Sequence, residues 1–296
     1  MSYDGWIILT GSLVGISCGM IGCFLILRKM AMLADAISHT VLLGIVGAFL
    51  VSHSLQGVNM LIGALIVGLL TAYLVQVLHS SGVQSDAAIG VVFTSLFAVG
   101  VILISLFADQ VHIDAQHALM GEIAFVPWDV ITINGVDIGP KAVYLLGSVL
   151  VINLFLIGLF YKEIKVCSFD PQMAVALGFP IMFIHYLLMG MVSISTVASF
   201  DAVGAILVVA MLIAPGATAY LLTDRLSVML GLAAVVGIIS AILGYYVAVL
   251  FNVSIAGSMA MVVGIIFALT FVFSPIHGLM SKWIMRYHLR NKKFDM

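Results

Sequence analysis

Nine long apolar runs constrain this chain more than any other feature. They cover residues 6–27, 32–52, 59–79, 87–107, 142–161, 180–199, 202–223, 227–250 and 255–275. A helix of about 20 apolar residues crosses the hydrocarbon core of a bilayer, where the backbone must satisfy its own hydrogen bonds. The runs lack the alternating pattern of an outer-membrane barrel. We therefore predict an all-α, polytopic transmembrane helix bundle with about nine spans, within a range of eight to ten.

The composition excludes several classes of function. Of the 296 residues, 64% are hydrophobic and 8% are charged, whereas a soluble domain carries about 25% charge. The net charge is −2 and no basic stripe occurs outside the C-terminal tail, which argues against a nucleic-acid partner. The sequence contains no glycine-rich phosphate-binding loop of the type G-x-x-x-x-G-K-[ST]. We therefore expect a membrane protein that is not itself an enzyme.

The basic residues predict which side of the membrane each connection faces. With the N-terminus outside and nine spans, ten of the 11 Lys and Arg residues lie on the cytoplasmic side, as the positive-inside rule requires. Lys141 is the exception. The ten are Arg28, Lys29, Lys162, Lys165, Arg225, Lys282, Arg286, Arg290, Lys292 and Lys293. The prediction is a multi-pass protein with its N-terminus outside and its C-terminus inside.

The connection 108–140 is then on the outer side. Within it, residues 117–126 are apolar enough to lie along the membrane interface as a short helix that ends at Pro127 and Trp128. The acids could attract cations or meet a delivery protein, or they could belong to an ordinary solvated loop. These acids are Asp109, Asp114, Glu122, Asp129 and Asp137.

Asp35 and His39 are the polar residues that fit least with an apolar span. Their spacing of four places both side chains on one helix face. Counted from Arg28, they lie roughly 10 and 16 Å into the membrane, where a carboxylate costs at least about 2.5 kcal/mol unless it faces a partner, a cavity or a substrate. Carboxylate and imidazole together suit Mn, Fe or Zn. A divalent metal site, a proton relay and a hydrogen bond that merely locks the helix all remain open.

Asp201 stands at the boundary between two spans, before a run that contains Pro215. It could be a metal ligand at the outer mouth, or it could be the N-cap of the span that follows. Asp86 is interpreted as a cap of the fourth span. His185 is interpreted as a packing or interfacial residue.

The stretch SFDPQMAVALGFP at 168–180 predicts a short helix on the inner side. Asp170 is a natural N-cap, and Pro171 fits the first helical position. Gly178 and Pro180 would end the helix after about two turns. The helix could cap the bundle or plug into a soluble motor protein. Its apolar surface would come from Met173, Ala174, Val175 and Leu177.

Three stretches resemble the permease subunits of bacterial ABC importers for manganese, zinc or iron. They are RKMAMLADAISHTVLLG at 28–44, FDPQMAVALGFP at 169–180 and DAVGAILVVAMLIAPGATA at 201–219. Length, hydropathy and span order agree as well, so the resemblance covers nearly the whole chain as one permease domain, residues 1–296. It implies a fold like that of type II ABC importers, with a short cytoplasmic coupling helix.

The resemblance also implies roles for particular residues. Asp35 and His39 would bind the metal in the membrane, and Asp201 stays a candidate ligand by its position. The coupling helix would contact an ATPase subunit. Its residues here are Asp170, Pro171, Met173, Ala174, Leu177 and Gly178.

The partners implied by the resemblance are a second copy of the chain, two cytoplasmic ATP-binding subunits and a metal-binding protein outside the bacterial cytoplasmic membrane. No cofactor is expected to stay bound: Mn²⁺, or else Zn²⁺ or Fe²⁺, would be cargo, and ATP would bind the partner subunit. The alternative is a proton-coupled secondary metal transporter with Asp35 and His39 as its relay. Such carriers often contain inverted repeats, and none is convincing here.

Overall fold

Eleven α-helices account for most of the described chain. The computed structural model describes residues 2–52, 57–107, 123–133, 136–274, 278 and 280. The helices are α1 (Tyr3–Leu27), α2 (Ala31–Ser52), α3 (Gly57–Ser80), α4 (Ser85–Phe107), α5 (Lys141–Leu159), α6 (Tyr161–Phe169), α7 (Pro171–Ala176), α8 (Ile181–Val203), α9 (Ala205–Leu222), α10 (Leu226–Phe251) and α11 (Ile255–Phe273). Among the helices of the described residues, all except α6 and α7 are long and apolar enough to cross a membrane. The prediction of an all-α bundle with nine spans is confirmed.

Helix α1 is the element around which much of the bundle packs. It contacts α5, α8, α9 and α10, and most of its residues between Ile7 and Leu25 are buried. Helices α2, α3 and α4 pack on one another as one group, and α9, α10 and α11 form a second. Helix α8 joins the two groups because it touches α1, α2, α3, α5 and α9.

Small residues let α1 approach its neighbours closely. Gly15 meets Gly237 of α10, and a Cβ on Gly15 would lie 2.9 Å from the Gly237 backbone. Gly11 faces Met259, and Gly19 faces Pro215. Gly11, Gly15 and Gly19 lie on one face of α1, and small residues of this kind allow membrane helices to touch.

Buried polar side chains form a second kind of contact between helices. The amide Nδ2 of Asn153 on α5 donates to Ser17 on α1 at 3.1 Å and to Ser195 on α8 at 2.7 Å. Thr71 on α3 donates to Thr40 on α2 at 2.9 Å. Interhelical hydrogen bonds of this kind contribute about 0.6 kcal/mol each in membrane bundles, so they fix helix positions more than they supply stability.

The connection between α4 and α5 ends in structure that the sequence did not predict. A 3₁₀ helix (Val126–Trp128) leads into an antiparallel hairpin of β1 (Val130–Ile133) and β2 (Val136–Pro140). Lys141, the first residue of α5, donates to Asp129 at 2.7 Å. The predicted interfacial helix at 117–126 lies mostly outside the described residues, and its described end is a turn followed by the 3₁₀ helix.

The connection between α5 and α8 contains two short helices, of which only α7 was predicted. Helix α6 buries Ile164 and Cys167, whereas Lys162 and Lys165 are exposed. This two-sided pattern spans only nine residues, which is too short to stand out beside the long apolar runs. Packing against α5 and α8 stabilises it.

We predict that Gly22→Ala destabilises the bundle and that Gly231→Ala does not. A Cβ on Gly22 would lie 1.7 Å from the carbonyl oxygen of Leu212 on α9, whereas a Cβ on Gly231 would meet no heavy atom within 4 Å. Overpacking costs about 1–3 kcal/mol, while both changes improve helix propensity by up to about 1 kcal/mol. Thermal unfolding of the detergent-solubilised variants measures the difference, and equal melting temperatures would contradict the close contact.

Candidate metal site and coupling segment

Asp35 and His39 share one face of α2 without forming a hydrogen bond. Nε2 of His39 lies 3.7 Å from Oδ1 of Asp35, which is beyond hydrogen-bond distance. The geometry therefore does not support an Asp–His hydrogen bond as the reason for the pair. In the single chain, the side chains of His39 and Asp35 are 34% and 39% exposed, respectively. Both remain accessible to a third group.

The pair lies in the first half of its helix, as the predicted span 32–52 implies. Helix α2 begins at Ala31, and residues 28–30 form the connection that follows α1. Asp35 and His39 are therefore roughly 6 and 12 Å from the start of the helix. The expected depths were counted from Arg28, three residues before the helix begins, and they stay predictions.

A cleft between α2 and α4 opens beside Asp35. It measures about 140 Å³ and is lined by Asp35 and Ala36 from α2 and by Asp86 and Gly90 from α4. Phe93 of α4 also borders the cleft, and its ring centroid lies 5.2 Å from that of His39. The cleft thus has carboxylates on two of its walls.

The sequence missed the relation of Asp86 to this cleft. Asp86 lies in the first turn of α4, where a carboxylate interacts favourably with the helix dipole. The signal that could have found it is topological: α2 and α4 are the second and fourth spans, so both begin at the same membrane face. Asp35 and Asp86 each lie near the start of their helix.

Asp201 does not join Asp35 and His39. It lies in the last turn of α8, and the N-cap of α9 is Gly204, so the interpretation of Asp201 as that N-cap is wrong. Because α2 and α8 are the second and sixth spans, they run in the same direction. Asp201 is roughly 30 Å from the start of its helix and Asp35 roughly 6 Å from the start of α2.

The described residues of one chain do not complete a metal shell. Across the described ranges, no three His, Cys, Asp or Glu side chains come together where they could hold a metal ion. As a pair, Asp35 and His39 could offer an ion two ligands. An outer-mouth role for Asp201 stays a prediction.

The local structure of α7 is as predicted. Oδ1 of Asp170 accepts a hydrogen bond from the backbone N–H of Met173 at 2.9 Å, and Pro171 is the first helical residue. Gly178, at a φ of +77°, follows the helix. This conformation favours glycine because a Cβ would be strained there.

The surface of α7 differs from the expectation at one residue. Met173, Val175 and Leu177 are exposed as predicted, but Ala174 is completely buried. The expectation that Ala174 offers apolar surface is wrong, because α7 packs one side against α6 and α8. The exposed apolar surface of α7 is therefore formed by alternate residues.

Buried polar groups lie next to this segment, where α1, α6 and α8 meet. Nη1 of Arg28, Oε2 of Glu163 and Nε2 of His185 are buried without a hydrogen-bond partner among the described residues. Burial lowers the pKa of Arg28. Burial also raises the pKa of the Cys167 thiol, an effect that the nearby Arg28 opposes. In the sequence, Arg28 is an orientation signal, and nothing in its local pattern predicts that it is buried.

Comparisons with known proteins extend over nearly the whole chain. A family model described as the ABC 3 transport family matches residues 5–274. The manganese transport system membrane protein MntD of Bacillus subtilis is 63% identical over 293 residues, which are 99% of each chain. The zinc transport system membrane protein TroD of Treponema pallidum is 42% identical over 291 residues, which are 98% of this chain and 78% of the relative.

Solved structures match as well. PsaBC from Streptococcus pneumoniae, in complex with a Fab, matches with a TM-score of 0.78 at 33% identity and with 94% of each chain covered. An inward-facing, putative metal-chelate type ABC transporter matches with a TM-score of 0.63 at 16% identity, covering 90% of this chain and 84% of the other. The second match bears on the fold alone.

These findings confirm the resemblance to permease subunits of metal ABC importers. Several relatives are described as membrane proteins of transport systems or as permease proteins, so the expectation of a permease rather than an enzyme is also confirmed. With a family model matched from residue 5 to residue 274, the chain belongs to the ABC 3 transport family.

Proposed function

We propose that this chain is the permease subunit of an ATP-driven importer that moves a divalent transition metal into the cytoplasm. The observation that carries the proposal is the pair Asp35 and His39, half exposed on a membrane-spanning helix and 3.7 Å apart. Carboxylate and imidazole ligands suit Mn²⁺, Fe²⁺ and Zn²⁺. Manganese is the first choice because the 63% identical relative is described as a manganese transport protein. The whole chain is one permease domain.

A second copy of the chain is part of the proposal. Two partly exposed polar side chains within an apolar span are costly when they face lipid. A second copy packed against the open side of α2 would cover them and would bring a second Asp35 and His39 to the same place. Four protein ligands would then be available to one ion, with water completing the shell.

The proposed orientation of the chain in the membrane follows from the distribution of its basic residues. We propose that the N-terminus lies outside, which puts α6 and α7 on the cytoplasmic side together with Arg28, Lys29 and Arg225. The five basic residues of the tail lie outside the described residues. Lys141, the one base left on the outer side, has Asp129 as an ion partner at 2.7 Å.

The exposed apolar side chains of α7 are the proposed contact with the cytoplasmic ATP-binding subunits, one for each permease copy. Met173, Val175 and Leu177 lie on a segment that also packs on α6 and α8. Closure of the ATPase subunits would therefore press directly on the bundle. On the outer side, a metal-binding protein would deliver the ion.

We predict that Asp35→Asn and His39→Phe each reduce manganese uptake at least about tenfold. Asparagine keeps the shape of the aspartate without its charge. Phenylalanine keeps the ring contacts of His39 with Phe93 and Phe97 while removing the nitrogen ligand. Uptake of radioactive Mn²⁺ by proteoliposomes that contain the assembled transporter measures the effect.

The matched control is Ser38→Ala, on the same turn of α2. Its hydroxyl donates to the carbonyl of Ala34 in the same helix, so its loss should leave uptake near the wild-type rate. Size-exclusion profiles show whether each variant assembles. Normal uptake by assembled Asp35→Asn and His39→Phe would remove these residues from the metal path.

The energy source separates the proposed importer from a proton-coupled secondary transporter. We expect uptake by proteoliposomes to require the ATP-binding subunits and ATP hydrolysis, and to persist when a protonophore removes the pH gradient. Uptake by the permease alone, driven by a pH gradient without ATP, would support the relay interpretation of Asp35 and His39 instead.

We predict that Leu177→Glu weakens binding of the ATP-binding subunit by five- to thirty-fold, equivalent to about 1–2 kcal/mol, because it buries a charge in an apolar contact. Leu177→Met is the control, since it keeps the side chain apolar. Ala174 is unsuitable for this test because it is fully buried. Copurification and metal-stimulated ATP hydrolysis provide the measurements. Equal copurification and equal ATP hydrolysis with the two variants would mean that α7 only caps the bundle.

A further inference from the structure

A groove of about 290 Å³ runs along the surface where α3, α5 and α8 meet. Its walls include Leu69 of α3, Leu156 of α5 and Phe183 of α8, and Gly190 lies farther along α8. Every lining residue is apolar except for the phenol group of Tyr186. The groove lies on helices that are long and apolar enough to cross a membrane.

The length of the groove matches one leaflet of a bilayer. Phe183 is the third residue of α8, and the groove extends along this helix to Ile194. Eleven residues of helix span roughly 16 Å, and half of the hydrocarbon core is about 15 Å thick. The groove therefore runs from the membrane face at which α8 begins to about the midplane.

Two exposed lysines follow soon after Phe160, whose ring contacts the membrane-face end of the groove. The Phe160 ring contacts the Phe183 ring at a centroid distance of 5.7 Å, and α6 begins at the next residue, Tyr161. Lys162 and Lys165 are exposed on α6 and share one face at a spacing of three. Neither has an ion partner among the described residues.

The one acid of α6, Glu163, has its Oε2 buried. The exposed face of α6 presents two lysines that lie two and five residues after Phe160, whose ring contacts the groove residue Phe183. Basic residues next to a pocket between transmembrane helices are the arrangement that binds anionic lipid headgroups.

We propose that this groove binds an acyl chain of an anionic phospholipid whose headgroup phosphate pairs with Lys162 and Lys165. The apolar wall alone would accept the chain of any lipid. The two lysines add selectivity for a negatively charged headgroup. Because α6 leads directly into α7, the bound lipid would hold the start of this segment against α5 and α8. The site is independent of Asp35 and His39.

The experiment measures lipid binding to the full-length chain, purified with the subunits that copurify and depleted of lipid in detergent. Native mass spectrometry follows titration with dioleoyl phosphatidylglycerol or with dioleoyl phosphatidylcholine. The lysine variant is Lys162→Gln with Lys165→Gln. The groove variant is Gly190→Leu, since a Cβ on Gly190 has only ordinary contacts at 3.9 Å and a longer side chain must extend into the open space. Arg225→Gln is the control, because this exposed base lies at the same membrane face.

We expect wild type and Arg225→Gln to bind phosphatidylglycerol about tenfold more tightly than phosphatidylcholine. The lysine variant should lose this preference, and the groove variant should bind both lipids weakly. If Gly190→Leu fails to assemble, Ile194→Trp fills the same groove.

Equal affinity of the wild type for both lipids, or unchanged binding by both variants, would overturn the proposal. Disulfide crosslinking of two Ile194→Cys chains across the groove would overturn it too, because the groove would then be a contact between copies.

Discussion

The cost of a polar group in hydrocarbon is the constraint on which the rest of this structure depends. It makes every span a helix, because only a helix satisfies its backbone within one segment. In hydrocarbon, helices also have no hydrophobic driving force to associate, so close packing between them must hold the bundle together. The backbone contact between Gly15 and Gly237, and the place of Gly22 against Leu212, show how α1 meets this requirement. The hydrogen bonds of Asn153 then fix α5 to both α1 and α8.

The cost of a polar group in hydrocarbon also explains which features could be predicted from the sequence. The nine spans are confirmed because apolar length alone specifies a transmembrane helix. The cap of α7 is confirmed because Asp170 and Pro171 act within a single turn. Helix α6, the hairpin and the burial of Ala174 depend on contacts between elements that are distant in sequence, which composition does not report. Asp201 was misplaced by a few residues at a span boundary, and this was enough to change its expected role as a cap.

For the candidate site, the sequence indicated the residues and the structure adds their surroundings. The spacing of Asp35 and His39 is a local property of one helix. The cleft with Asp86 depends on how α2 and α4 pack. Among the described residues, no three candidate ligands come together. Polar groups are costly in a membrane span, and this is why the proposed metal site uses the same pair of residues from a second copy.

The polar groups at the junction of α1, α6 and α8 bear on how the site and the coupling segment are connected. Arg28 ends α1 and lies three residues before α2 begins. Glu163 lies on α6, which leads into α7, and His185 lies on α8, which follows it. Buried polar atoms without partners cost about 1–3 kcal/mol each. Arg28, Glu163 and His185 all contain such atoms, so polar groups are poorly satisfied where the proposed ATPase contact and the start of α2 come together. A change in helix packing here would act on α2 and on α7 together.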